Sequence, residues 1–167
     1  MSPNELLGTY LNDHLAGSVA GRDLAEKIRA HNRGTPLGTF MDGLGREIEE
    51  DQETLTDLMR RLGVEESSLK QAAGSVLEKM TRVVFDSEVD GSPELNRLRE
   101  LEILSIGIEG KLALWRTLQT ISDGDSVPRL HLDLDLDRLA DRAQRQLESL
   151  EEHRRDAAVE AFTARRS

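Results

Sequence analysis

The four prolines of this 167-residue chain constrain its fold more than any other feature, because each falls at the edge of an apolar stripe and none inside one. Proline has no N–H and a fixed φ. Inside a helix it removes a hydrogen bond, whereas in the first turn it removes nothing the helix uses. Ser2-Pro3-Asn4-Glu5 has the order of a capping box, Thr35-Pro36 repeats cap then proline, and Ser92-Pro93-Glu94 does so again. Each of the three predicts a helix start.

The stripes that follow have helical period. From Pro3, the positions Leu7, Tyr10, Leu11, His14, Gly17, Gly21, Leu24 and Ile28 recur until Asn32-Arg33-Gly34. From Pro36, Leu37, Phe40, Leu44, Ile48, Leu55, Leu58 and Leu62 lead to a terminating Gly63. A shorter pattern from Glu65 to Phe85, through Leu69, Ala73, Val76, Leu77 and Met80, predicts a helical connection. Pro93 opens a third long helix that ends near Ser122-Asp-Gly-Asp-Ser126. Leu136, Leu139, Ala143, Leu147, Leu150, Ala157 and Ala161 mark a fourth that runs nearly to the last residue. Leu130 to Asp137 alternates with period two, which predicts a short extended piece with no partner strand. The expectation is one all-α domain over residues 1–167. Two hairpins of helices roughly 40 Å long are joined by a long crossover that leaves helices two and three parallel.

Composition sets the class of partner. The chain is 37% apolar, with one Trp, one Tyr and three Phe, so its core is built mainly from aliphatic side chains. A formal charge of −10 argues against nucleic acid and against an anionic membrane surface, since both require a basic face. The start Met-Ser-Pro-Asn-Glu is not a basic stretch followed by an apolar core, and no uncharged run approaches the ~20 residues that span a bilayer. The sequence therefore reads as soluble and cytoplasmic. With no Cys, disulfides, thiolate nucleophiles and Cys-ligated metals are excluded, and carboxylate and imidazole are left as the strong side-chain metal ligands. Asp133-x-Asp135-x-Asp137 is not a calcium loop, because Arg138 stands where that loop needs Gly and Gln144 where it needs Glu.

The segment Leu37 to Val64, with Glu47-Ile-Glu-Glu-Asp51 and Leu58-Met-Arg-Arg-Leu-Gly-Val64, resembles a second helix of the ferritin-like superfamily, and the layout carries the resemblance over nearly the whole chain. The resemblance implies an antiparallel four-helix bundle with a long helical crossover between helices two and three. In the metal-binding members, helices one and three each supply a Glu and helices two and four each a Glu-x-x-His. This sequence departs from that pattern. Helix two has Glu47-x-x-Glu50 with Asp51, helix one has Asp13 and His14, and His153 on helix four follows Leu150 at that spacing. Helix three supplies the one natural match, Glu102 or Glu109.

Glu102 and Glu109 stand seven residues apart in the apolar run Leu101 to Trp115, so two turns of helix put them on one face. That face is either a wet edge or an interior with partners, because an ionised carboxylate is rarely buried alone. Levelling the helices from their turns brings His14, Gly17, Asp51, Glu109 and Gln146 to one depth. A second depth holds Gly21, Glu47, Glu102 or Ser105, and Leu150 to His153. Of the acid run Glu47 to Glu53, Asp51 is the best inward candidate and Glu47 the next. His14, Glu47, Asp51, Glu102 and Glu109 are thus a candidate set for iron, manganese or zinc. The competing expectation is a satisfied polar network in which His14 donates to Asp51 or Glu109, with Lys111 neutralising one of the acids.

Four helical glycines demand a reason, since each weakens a helix by about 1 kcal/mol relative to Ala. Gly17 with Gly21, and Gly107 with Gly110, either let helices approach closely or open a cavity beside His14 and Glu109, with Trp115 and Tyr10 as candidate walls. The expected function is a non-catalytic binding or structural protein acting through its surface or a small cavity. The alternative is an atypical carboxylate/His metal-binding oxidoreductase or metal-storage protein. A homo-oligomer or protein partner is left open by apolar strips on Leu69 to Met80 and by Val83, Val84 and Phe85.

Overall fold

The computed structural model describes residues 2–64, 92–123 and 134–163. They form four long helices, α1 (Pro3–His31), α2 (Pro36–Arg61), α3 (Pro93–Asp123) and α4 (Leu136–Thr163), with no strand among the described residues. The connection expected from Glu65 to Phe85, with its apolar strips, lies outside them. So does the first half of the alternating segment, residues 130–133; its last residues, Leu136 and Asp137, already belong to the first turn of α4. No described helix is long and apolar enough to cross a membrane.

The proline starts form as the capping chemistry dictates. At α1 the Ser2 hydroxyl accepts from the Glu5 N–H while the Glu5 carboxylate accepts from the Ser2 N–H at 2.6 Å, so the capping box is complete. Thr35 caps α2 by accepting from the Gly38 N–H at 3.1 Å. α2 ends in a Schellman turn: Val64 N–H donates to the Met59 carbonyl and Gly63 N–H to that of Arg60, with Gly63 at φ +67°. Between α1 and α2 the chain turns so tightly that a Cβ on Gly38 would lie 2.1 Å from the Asn32 carbonyl oxygen. Buried Asn32 holds this turn from both sides. Its side-chain amide donates to the Ile28 carbonyl at 2.7 Å and its own carbonyl accepts from the Thr35 hydroxyl.

The core is aliphatic, as the composition requires. Leu11, Leu15 and Ile28 from α1 meet Met41, Leu58 and Met59 from α2 and Leu101, Leu104 and Leu118 from α3, with Leu150 closing from α4. Each such side chain contributes about 1.5–3 kcal/mol by leaving water. Cross-helix pairs fix the levels. Between α1 and α3, the Tyr10 hydroxyl donates to that of Thr117 at 3.2 Å and Lys27 pairs with Glu100 at 3.1 Å, so residue numbers rise on one helix as they fall on the other. The same opposition holds for Glu47–Gln146 and Phe40–His153 between α2 and α4, and for Gln119–Asp137 and Arg97–Glu160 between α3 and α4.

Candidate functional site

The seam between α1 and α3 is tied near both ends, by Tyr10–Thr117 and Lys27–Glu100, and open in its middle. Gly17 and Gly21 face the opening from α1, and Gly107 and Gly110 from α3. A Cβ built on any of the four would meet no other atom within 4 Å, so these glycines do not serve close helix contact. They bound a cavity of about 260 Å³ that reaches across to Ile48, Asp51 and Leu55 on α2 and is backed by Leu104, Ile108, Leu114 and Trp115. Of the two reasons the sequence allows for the glycines, the structure selects the cavity.

One wall of the cavity is polar and tightly partnered. Lys111 stands at i+3 from Ile108 and i+7 from Leu104, on the inward stripe of α3, and its Nζ donates to Asp51 Oδ2 at 2.6 Å and to Gln146 Oε1. Arg142 from α4 donates to Asp51 Oδ1 and, at 2.7 Å, to Glu50. Gln146 uses its amide nitrogen on Glu47 Oε2 at 2.7 Å. Asp51 is 3% exposed, and both of its oxygens accept from a cation, which is what makes its burial tolerable. Burial holds the Lys111 ammonium below the ordinary lysine range, against the pull of Asp51 in the other direction.

His14 and Asp13 line the mouth. His14 is half-buried and packs edge-on against the Tyr10 ring at 4.5 Å between centroids. Burial lowers its pKa below the usual histidine value, with the exposed Asp13 carboxylate opposing, so the imidazole is neutral at pH 7. Trp115 is 1% exposed, and its indole Nε1 has no hydrogen-bond partner among the described residues.

The five candidate metal ligands do not assemble. Asp51 and Glu47 share one network through Gln146 and Lys111, rather than the two depths expected, and His14 reaches the same cavity from α1. Glu102 and Glu109 do share a face, but it is the outer one. With Ile106, Ala113 and Arg116 they form the exposed stripe of α3, because the inward stripe is set by Leu101, Leu104, Ile108 and Leu112. Glu102 is half exposed and lies 3.6 Å from Arg154. Iron, manganese or zinc at Asp51 would displace an ammonium and a guanidinium that are themselves largely buried, and among the described residues no three His, Asp or Glu side chains are grouped to hold an ion. The donor set does not fit a carboxylate-bridged dimetal site. His153 packs on Phe40 at 4.4 Å instead.

Sequence reasoning found the cavity walls His14, Trp115 and the glycines and raised Lys111 as a counter-charge; Tyr10 sits beside His14 without lining the cavity. It passed over Arg142 and Glu100. Arg142 lies at i+3 from Leu139 and i−4 from Gln146, a spacing that marks the edge of the buried stripe of α4, while Glu100 is 7% exposed and answered by Lys27. No protein family, no curated protein and no solved structure matches this chain.

Proposed function

We propose that this protein is a non-catalytic small-molecule-binding protein, built as an antiparallel bundle of ferritin-like layout with the residues between α2 and α3 as its crossover, and that the mid-seam cavity is its working site. The cross-helix pairs support the layout, since α2 and α3 each oppose α1. The observation that carries the functional reading is the set of four open glycines. Alanine at each position would strengthen the helix and touch nothing, so empty space there is the more demanding arrangement. The cavity also combines an apolar lining with a few convergent polar groups, the general character of a ligand pocket.

The experiment is a ligand-detected NMR screen of neutral one- and two-ring compounds against the wild type and Gly17→Leu, whose side chain occupies the open middle of the seam. Compounds that bind the wild type and are lost in a folded Gly17→Leu support the reading. A panel with no compound sensitive to Gly17→Leu removes the cavity from consideration as a binding site.

A further inference from the structure

The charged wall of the cavity holds one group that stability alone does not ask for. Lys111 stands on the inward stripe of α3, where Leu104 and Ile108 show what packing prefers. Its ion pair with Asp51 is a weak reason for a lysine there, because apolar side chains of similar volume often stabilise a core as well or better. Both members of the pair line the cavity, and Lys111 is the more open of the two, its side chain 13% exposed against 3% for Asp51. An ammonium carries three N–H bonds, and Asp51 and Gln146 engage two of them.

A lysine is a nucleophile only once it has lost its proton, and the Asp51 carboxylate 2.6 Å from Nζ is placed to take it. Burial works in the same direction, since it disfavours the ammonium. Arg142 meanwhile holds the other oxygen of Asp51 in place. The rest of the wall selects the partner. Ile48, Leu55, Leu104, Ile108 and Leu114 give it an apolar surface. An anionic guest would meet Asp51 and, at the mouth, Asp13; a cationic one would meet Lys111, with Arg142 behind it. An apolar cavity of about 150 Å³ holds a single benzene ring, so 260 Å³ accommodates a ring with a short arm. Resting on the binding reading above, we infer that the cavity captures neutral, ring-sized aldehydes by reversible condensation with the Lys111 amine, with Asp51 as counter-ion of the product.

The condensation balances without any further reactant. Lys111 passes a proton to Asp51 Oδ2, and its freed lone pair attacks the carbonyl carbon while the C=O π pair moves to oxygen. A proton shifts from nitrogen to that oxygen and gives a neutral carbinolamine. Asp51 then returns its proton to the hydroxyl as the C–O bond breaks, water leaves, and the nitrogen lone pair closes the C=N bond. The iminium keeps one N–H, which faces the Asp51 carboxylate, so the wall carries the same charge before and after.

Three probes test it: 4-methylbenzaldehyde, 4-formylbenzoate with a charge on the same frame, and para-xylene, which has the frame without the carbonyl. Each aldehyde is incubated with the full chain at pH 7 and cyanoborohydride, which reduces an iminium to a stable secondary amine, and peptide mass spectrometry locates the label. 4-Methylbenzaldehyde is expected to label Lys111 at least about tenfold faster than Lys27, Lys70, Lys79 or the α-amino group, as for a reactant bound beside its nucleophile. Para-xylene is expected to slow that labelling, and 4-formylbenzoate to label Lys111 at least about tenfold more slowly than 4-methylbenzaldehyde. Lys111→Arg, which keeps the charge and cannot condense, is expected to fold, to bind para-xylene and to show no preferred adduct; should it not fold, the wild-type label map decides. Even labelling of all the amines, or para-xylene bound with Lys111 unlabelled, overturns the capture and leaves the binding reading standing. Faster labelling by 4-formylbenzoate overturns the neutral guest. An unlabelled Lys111 with no para-xylene bound overturns the capture as well, and the broader panel against Gly17→Leu then decides the binding reading on its own.

Discussion

Among the described residues, two of the places that do without side chains do so for opposite reasons. At the α1–α2 turn, Gly38 is needed because its neighbour occupies the volume: a Cβ would lie 2.1 Å from the Asn32 carbonyl, inside any contact distance. In the middle of the α1–α3 seam, Gly17, Gly21, Gly107 and Gly110 leave volume that no neighbour enters. The first glycine contributes to stability, and the others give some of it up. A glycine in the sequence thus says that a side chain is absent, and only the surroundings say whether one would fit.

The sharpest way to break this contrast is to ask whether the hollow is framed or merely loose. The polar wall predicts a frame, since Asp51 ties α2 to both Lys111 on α3 and Arg142 on α4. Asp51→Ala leaves two largely buried cations without their shared counter-charge and is expected to destabilise the protein by about 3–5 kcal/mol in urea unfolding. Asp51→Asn, which keeps the shape, should recover only part of that loss. A loss below about 1 kcal/mol for Asp51→Ala would mean that the wall relaxes around the change and that the cavity has no fixed shape.

The paired test at the glycines comes next in size and turns on sign. Gly38→Ala drives a methyl group into backbone and is expected to destabilise by about 1–3 kcal/mol. Gly21→Ala, made at a buried position with open space beyond it, is expected to stabilise by about 1 kcal/mol through helix propensity. If both substitutions destabilise, the seam is closed in solution and the contrast between the two places disappears. If Gly21→Ala stabilises while weakening a bound ring compound, stability and binding compete at this residue, as expected of a site kept open for use.

How far a feature is legible in the sequence depends on which physical signal it leaves there. The helix starts were readable because proline and capping residues act locally: Ser2-Pro3 and Thr35-Pro36 need no tertiary contact to mark an N-terminus. The sequence allows the cavity as one of two alternatives and does not choose it, because an open glycine and a crowded one are the same letter. Glu102 and Glu109 show the complementary limit. Their spacing of seven fixes that they share a face, yet which face depends on the neighbouring stripe, and Leu104, Ile108 and Leu112 carry the inward side. Arg142 escaped notice because a long cation at the margin of an apolar stripe usually lies out in water, whereas here Asp51 draws it in.

The smallest expected effect, and the one that probes how dry the mouth of the cavity is, belongs to His14. Its pKa in the folded protein lies below the ordinary 6.5, chiefly because burial disfavours the imidazolium. As pH falls, the unfolded chain therefore takes up this proton before the folded protein does. Stability from this source is complete above pH 6.5, declines as pH drops through that value, and stops declining once the folded-state pKa is passed. His14→Gln, which cannot titrate, should be less destabilised than the wild type between about pH 8 and pH 5, with the difference isolating His14 from the carboxylates common to both proteins. A bound neutral ring compound should enlarge the wild-type dependence, because a guest that displaces water beside His14 opposes its protonation further. Identical pH dependence in the two proteins would show that water reaches His14 freely, and the seam would then be a wet groove rather than a dry cavity. It would also make the hollow at the glycines costlier to explain, since an apolar guest gains most where water has already been excluded.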